Sequence, residues 1–557
     1  MSNTFTRRHF MKLTAAAAAA AWPSSGAQIA AQSARTIAPG PFKATWKSLV
    51  TNYKVPDWFR DAKFGIWAHW TAQCVPEQGD WYARGMYMQG SPQYNYHVAH
   101  YGHPSTFGFK DIDNLWKAER WDPEKLMRLY KRAGAKYFVA TANHHDNFDC
   151  FDSKYQPWNS VKVGPKKDIV GTWAKIARAN GLRFGATVHC SQAWHWFQVA
   201  YGHDLTGPLA NVPYDGWLTK ADGKGLWWEG LDPKDLYCGP CSEIPKNITT
   251  PDALRKWWDS RLAWSKAPPN DPAYVTKWFN RVKDLIDKYD PDLLYFDDSQ
   301  APMGEAGLNV FAHYYNANIQ RHNGKLDGVL NTKGMPKDLL KTLVHDFERG
   351  RSDAIEAYPW QTDTCIGDWH YKRELYEKHA YKTPQAVIRM LVDIVSKNGN
   401  LLLNIPVRGD GTIDDDEVKF LEGMAAWMAV NSECIFGTRP WRVSGEGPVQ
   451  IKAGQFSEGG EDRFTGQDFR FTAKGDAIYA IALAWPGEQA AIKSLAKGSS
   501  LVTGEVAAVR LLGCERDLDF SRTKQGLVVK MPNSKPCEHA FALKITGLKT
   551  VPAPSKE

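Results

Sequence analysis

Tyr289-Asp290-Pro291-Asp292-Leu293-Leu294-Tyr295-Phe296-Asp297-Asp298 is the stretch on which the reading of this chain turns. Its apolar core, Leu293 to Phe296, has the look of a buried strand and stops abruptly at two carboxylates. In parallel α/β sheets and barrels, the carboxyl ends of strands are where reactive side chains project. A carboxylate held rigidly there suits attack on a sugar's anomeric carbon. Taken alone, the pair could simply end the strand or cap the following helix.

The neighbouring runs decide between these readings. Phe64 to Ala68 leads to His69-Trp70, and Tyr137 to Ala142 leads to Asn143-His144-His145-Asp146. Phe184 to Val188 leads to His189-Cys190-Ser191, and Asn400 to Leu403 leads to Asn404-Ile405-Pro406. Each is a short apolar run of the kind that is buried on both faces. Each then delivers hydrogen-bonding groups. Five such endings predict the top face of a barrel.

Capped helices alternate with these strands. Asp122-Pro123 opens one that closes at Gly134, Asp168 opens one that ends at Asn180-Gly181, and Asp271-Pro272 opens one that runs to about Lys288. Repeated βα units predict a parallel α/β fold. No glycine-rich dinucleotide fingerprint follows the first strand, which favours a closed (β/α)8 TIM-like barrel over an open sheet. The barrel is expected over 40–430, closing with the helix Asp414 to Met428. A long insertion rich in Gly, Pro, Asp and Trp runs from about Trp194 to Asp271 and is expected on the active face. From Trp441 the texture changes to short alternating strands, such as Ala477 to Trp485, and 441–549 reads as a small β-sandwich.

Composition narrows the function. The 557 residues are 43% hydrophobic and 23% charged, and this length calls for two or three domains. Twenty-four tryptophans exceed what packing alone requires, and indole rings stack well on sugars. The formal charge is +8, but Arg7, Arg8 and Lys12 lie in a leader without acids, and no basic stripe interleaved with aromatics follows. Nucleic acid is therefore not an expected partner. Thr6-Arg7-Arg8-His9-Phe10-Met11-Lys12 is a twin-arginine pattern before an alanine-rich stretch, so 1–34 is expected to be an export signal and the mature protein periplasmic or secreted. No segment is long and apolar enough for a stable membrane span. Nine cysteines do not make a disulfide scaffold, and Cys238-Gly239-Pro240-Cys241 lies in loop-like surroundings unlike a redox site.

Together the motifs resemble the retaining α-L-fucosidase family of glycoside hydrolases. The marks are Trp58 to Trp70, Asp80-Trp81-Tyr82, Ala135-Lys136-Tyr137 with Asn143 to Phe148, Pro291 to Asp297, Lys397 to Pro406, and Asn431 to Pro440. The resemblance implies a catalytic barrel with a C-terminal β-sandwich, no metal, no cofactor, and a fucosylated glycan as substrate. It puts the nucleophile on Asp297, hydroxyl-binding imidazoles on His69, His144 and His145, and Trp81 near the sugar ring. Tyr295 takes a place where the family often has Trp, two residues before the nucleophile on the same strand face. The chain departs from the pattern at Trp360-Gln361, where the family often has Trp-Glu, and at Cys190-Ser191, often Tyr-Ser.

The general acid/base does not transfer by alignment. Glu305, Glu348 and Glu356 are the candidates downstream of Asp297. Glu348 is preferred, because it ends a strand-like run and is flanked by Arg349 and Arg351, which could bind hydroxyls or hold a carboxylate. The alternative is a surface Glu paired with one of those arginines. His144, His145, Asp146 and Asp149 could also be read as metal ligands, but adjacent residues of a strand point to opposite faces, and no His-Glu-x-x-His helix is present. Alternatives to fucose release are an exo-glycosidase for another L-galacto-configured sugar, a non-catalytic carbohydrate-binding protein, and a metal-dependent hydrolase.

Overall fold

The computed structural model describes residues 35–551, apart from 241, 264, 265, 269, 461 and 462. The expected export signal, and Cys241 of the Cys238–Cys241 pair, lie outside the described residues.

Eight parallel strands form a closed barrel: β1 (Phe64–Ala68), β2 (Tyr137–Asn143), β3 (Arg183–Val188), β4 (Leu293–Ser299), β5 (Val329–Lys333), β6 (Val344–Asp346), β7 (Trp360–Cys365) and β8 (Gly399–Asn404). Closure is achieved by β1, which pairs with β2 on one side and β8 on the other. The five strands expected from their apolar runs are present. β5, β6 and β7 complete the barrel without such runs. β7 reads Trp-Gln-Thr-Asp-Thr-Cys and is buried throughout, so its polar side chains must find partners inside the protein.

The helices begin where their caps indicate. They include α1 (Pro123–Arg132), α2 (Ile169–Ala179), α3 (Pro272–Tyr289), α4 (Glu305–Arg321), α5 (Pro384–Ser396) and α6 (Asp415–Asn431). The carboxylates of Asp122, Asp168 and Asp271 accept from the N–H groups of Lys125, Gly171 and Tyr274 at 2.9, 2.9 and 2.8 Å. Asp414 and Glu417 form a reciprocal capping box on α6. Among the described residues, no helix is long and apolar enough to cross a membrane.

The register of β4 slips against β5 between Tyr295 and Ser299, across Asp297 and Asp298. Such an irregularity bends a strand and re-aims its side chains. Beyond the barrel, β9 (Arg439–Glu446), β10 (Phe469–Lys474), β11 (Ala477–Ala482), β14 (Ala508–Leu511) and β17 (Phe541–Thr546) make a five-stranded antiparallel sheet. β12 (Gln489–Ile492), β15 (Phe520–Thr523) and β16 (Gly526–Lys530) form a second sheet, and β13 (Val502–Thr503) pairs with β18 (Lys549–Thr550). Phe469, Phe471, Ile478, Leu527, Val529 and Leu543 fill the core of this β-sandwich. The alternate residues Ala477, Tyr479 and Ile481 join the core of the barrel instead. Arg470 reaches from β10 to Asp393 of α5 at 2.5 Å, and Trp427 of α6 donates to the Ala540 carbonyl at 2.8 Å.

Candidate active site

Asp297 and Glu348 meet at the carboxyl ends of β4 and β6, on either side of Lys333, the last residue of β5. Lys333 Nζ lies 2.5 Å from Asp297 Oδ1 and 2.6 Å from Glu348 Oε2. Two oxygens so close to one nitrogen cannot be more than about 5 Å apart, within the reach that a double displacement requires of its two carboxyls. Both acids are buried. A third carboxylate, Asp363 of β7, stands 3.9 Å from the same ammonium. Burial holds Asp363 above the usual carboxylate range, against the pull of Lys333. Asp346 of β6 is pushed up further, by burial first and by Asp363 second.

The other acids drop away from this arrangement. Glu356 lies just before β7, where its N–H donates to the Lys397 carbonyl ahead of β8 at 3.2 Å, and its carboxylate accepts from Ser352 at 2.5 Å. That is the amino-terminal end of the strands, the wrong end of the barrel for the site. Glu305 is exposed at the start of α4. Asp298, beside Asp297 in sequence, accepts from Ser191 at 2.5 Å and from Gln192, on the β3 side. The arginines flanking Glu348 also reach a more distant segment of the chain. Arg349 pairs with Glu458 at 2.5 Å, and Arg351 donates to the Gly459 carbonyl at 3.0 Å.

Imidazoles surround the Asp297 side. The rings of His69, His144, His145, His189 and His370 pack on one another at centroid distances of 4.3 to 5.5 Å. His145 Nε2 and His189 Nδ1 face Asp297 Oδ2 at 3.3 and 3.4 Å. His145 Nδ1 donates to the His189 carbonyl at 3.0 Å. Gln73 Nε2 donates to His144 Nδ1 at 2.8 Å, which leaves the proton of that ring on Nε2. Neither nitrogen of buried His69 has a hydrogen-bond partner among the described residues. Burying a polar ring in that way is costly unless a ligand completes it. Burial drives His69 and His144 well below the ordinary histidine range, reinforced by the neighbouring rings. A neutral imidazole both donates and accepts, as sugar hydroxyls do.

Two groups are compact enough to hold a cation: His69, Asp80, His144 and His370, and His144, His145 and His189. Some of their donor atoms are already engaged among the described residues, although those of His69 are not. Asp80 is bonded to His370 Nδ1 at 2.7 Å, and His370 Nε2 lies 3.0 Å from Thr71 Oγ1.

Trp81 is half-buried in a left-handed backbone conformation (φ 61°), with its ring edge-on to His145 and Trp196. Trp196 comes from the insertion, which thus reaches the site. Tyr295 is fully buried in the barrel interior with Trp67, Leu293 and Trp369, and its hydroxyl donates to Asp363 at 2.9 Å. Its ring lies 5.8 Å from Lys333 Nζ, so it borders the site through Asp363 and Lys333. Lys333, Asp363 and His370 are not among the groups that the five strand endings single out, whereas His189 ends the run Phe184 to Val188. Lys333 does end an apolar-to-polar run (Val329 to Lys333), but Asn331 and Thr332 blur it.

Burial brings His189 down to about 4, against the opposing pull of Asp297. Because the folded protein binds this proton less readily than the unfolded chain, His189 erodes stability as pH falls from about 6.5 towards about 4, with no effect at higher pH. Going from about pH 7 to about pH 4.5, His189→Asn should lose about 2–3 kcal/mol less stability than the wild type in urea titrations. A difference independent of pH would mean that folding does not shift the titration of His189, and one of opposite sign that the ring is held charged in the native state.

Comparison with known proteins supplies the context. The model of the α-L-fucosidase family matches residues 29–433, and that of the α-L-fucosidase C-terminal domain matches residues 461–546. Human tissue α-L-fucosidase is 26% identical over 526 residues, covering 92% of this chain and 94% of that protein. An α-L-fucosidase from Branchiostoma floridae is 26% identical over 525 residues, covering 91% and 96%. Among solved structures, Thermotoga maritima α-fucosidase in complex with a mechanism-based inhibitor aligns with a TM-score of 0.67 at 28% identity, covering 91% of this chain and all of that one.

Proposed function

Because the chain belongs to the α-L-fucosidase family, we propose that it releases terminal α-L-fucose from glycans by double displacement, with Asp297 as nucleophile and Glu348 as acid/base. The observation that carries this reading is that both carboxyls lie against Lys333, with two of their oxygens no more than about 5 Å apart, close enough for both to act on one anomeric centre. Asp297 attacks the anomeric carbon and forms an ester, while Glu348 gives its proton to the departing glycosidic oxygen. Water then attacks the same anomeric carbon, Glu348 takes a proton from that water, and the bond from that carbon to Asp297 breaks, so that Asp297 leaves as a carboxylate. Lys333, 2.6 Å from Glu348, stands where it can steady the Glu348 side chain beside the reacting sugar. His69, His144 and His145 offer donors and acceptors for the sugar hydroxyls, and Trp81 offers a ring edge beside them.

Hydrolysis of an aryl α-L-fucoside, followed by NMR, tests the proposal. The first sugar released should be the α anomer, and prolonged chelation should leave the rate unchanged. Release of β-L-fucose would overturn the double displacement. Loss of activity on chelation, with recovery on adding zinc or manganese, would reassign the histidines to a metal.

A further inference from the structure

Residues 434–460 lie between the two stretches that match family models, and part of this segment returns to the barrel beside Glu348. Arg351 and Gly454 exchange a pair of backbone hydrogen bonds of 3.1 and 2.9 Å. The N–H of Phe456 donates to the Glu348 carbonyl at 2.9 Å, and the N–H of Glu458 donates to the Arg349 carbonyl at 3.0 Å. Gln455 donates to the Asp346 carbonyl at 3.3 Å. The Glu458 carboxylate gathers Arg349 Nε at 2.5 Å, Thr364 Oγ1 at 2.5 Å and Lys382 Nζ at 3.3 Å.

Glu348 needs this support. Strand β6 has three residues and pairs at two positions with β5 and at two with β7, and beyond it the N–H groups of Phe347 and Arg349 donate to the Gln361 and Asp363 carbonyls at 2.9 and 2.8 Å, so the β5 side is left to other contacts. Directly after Glu348, Arg349 adopts φ 45°, a left-handed conformation that a side chain enters only when its surroundings impose it. At Gly350 a Cβ would come within 2.4 Å of the Gly454 carbonyl oxygen, so the close approach of the two segments requires glycine there.

We infer that residues 454–459 are a strap that positions Glu348, with Glu458 as its anchoring residue through Arg349 and Thr364. Glu458 touches neither substrate nor reacting atoms. It acts by fixing the turn that aims Glu348, and this role rests on Glu348 being the acid/base.

The test compares Glu458→Gln, Glu458→Asp and Glu348→Ala, each checked for folding by circular dichroism, on two substrates. One is an aryl α-L-fucoside with a good leaving group; the other is a fucosyl disaccharide with a poor one. Glu458→Gln should lower kcat on the disaccharide about 100-fold, the cost of misplacing a catalytic group by about an ångström, with KM little changed. On the aryl fucoside the loss should stay below about 10-fold, because a good leaving group needs little protonation. Glu458→Asp should recover part of the disaccharide rate. Equal losses on both substrates, or no loss, would overturn the inference. Should Glu458→Gln fail to fold, Thr364→Val must show the same skew at smaller amplitude, and its absence would be equally damaging. If Glu348→Ala lacks the skew, the acid/base assignment itself fails. A skew confined to the Glu458 variants would show that the strap serves a different acid.

Discussion

Asp297→Gly should reduce turnover of an α-L-fucoside on the order of 10⁴- to 10⁶-fold, the scale on which removal of a nucleophile acts. Neither neighbouring aspartate in the sequence can replace it. Asp298 is held by Ser191 and Gln192, and Asp292 pairs with Arg183 at 2.6 Å, before the strand begins. The fold should survive, because Lys333 keeps Glu348 at 2.6 Å. Azide supplied to this variant should enter from the vacated face and give the β-L-fucosyl azide. A fluorinated fucosyl donor that traps the intermediate in the wild type should label Asp297, as peptide mapping would show. Label on Asp298 or Asp292 would sink the assignment.

Glu348→Ala should cost about 10²–10⁴-fold on fucosides with poor leaving groups, the range that general acid–base catalysis contributes. Activated aryl fucosides should lose much less in the first step. Here Asp297 remains and the covalent intermediate still forms, so azide should accelerate its breakdown and yield the α-L-fucosyl azide. The anomer of the azide thus separates the two roles with one reagent. Glu356→Ala should be mild, since that carboxylate accepts from Ser352 at the opposite end of the barrel. Azide rescue of Glu356→Ala, but not of Glu348→Ala, would exchange their roles.

Much of this was legible from the residues in order. Five apolar runs ending in polar groups are a local pattern, and strands β1, β2, β3, β4 and β8 follow them. Aspartates ahead of proline or of a helical stripe cap helices through bonds made within four residues, so α1, α2 and α3 begin where expected. Asp297 was legible for the same reason: its position depends on the strand that carries it. Strands β5, β6 and β7 were not legible. Their side chains include Asn331, Asp346, Gln361 and Asp363, whose burial is compensated by partners far away in sequence; Gln361, for example, accepts from Tyr137 at 3.1 Å and donates to Asp346 at 2.9 Å.

By itself, then, the sequence determined the barrel, the sandwich that follows it, and the strand end that presents Asp297, because hydrophobic period and capping act over a few residues. Only the tertiary structure put Glu348 beside Asp297 and Glu356 away from it, since the two acids, eight positions apart in the chain, lie at opposite ends of the strands. Only the tertiary structure set Lys333 between Asp297 and Glu348 and moved Tyr295 to the border of the site. It also brought Glu458 from outside the barrel onto the turn after Glu348. Closing the sheet and folding the sandwich back upon it create these contacts, and no period along the chain encodes the distance between residues that different strands carry.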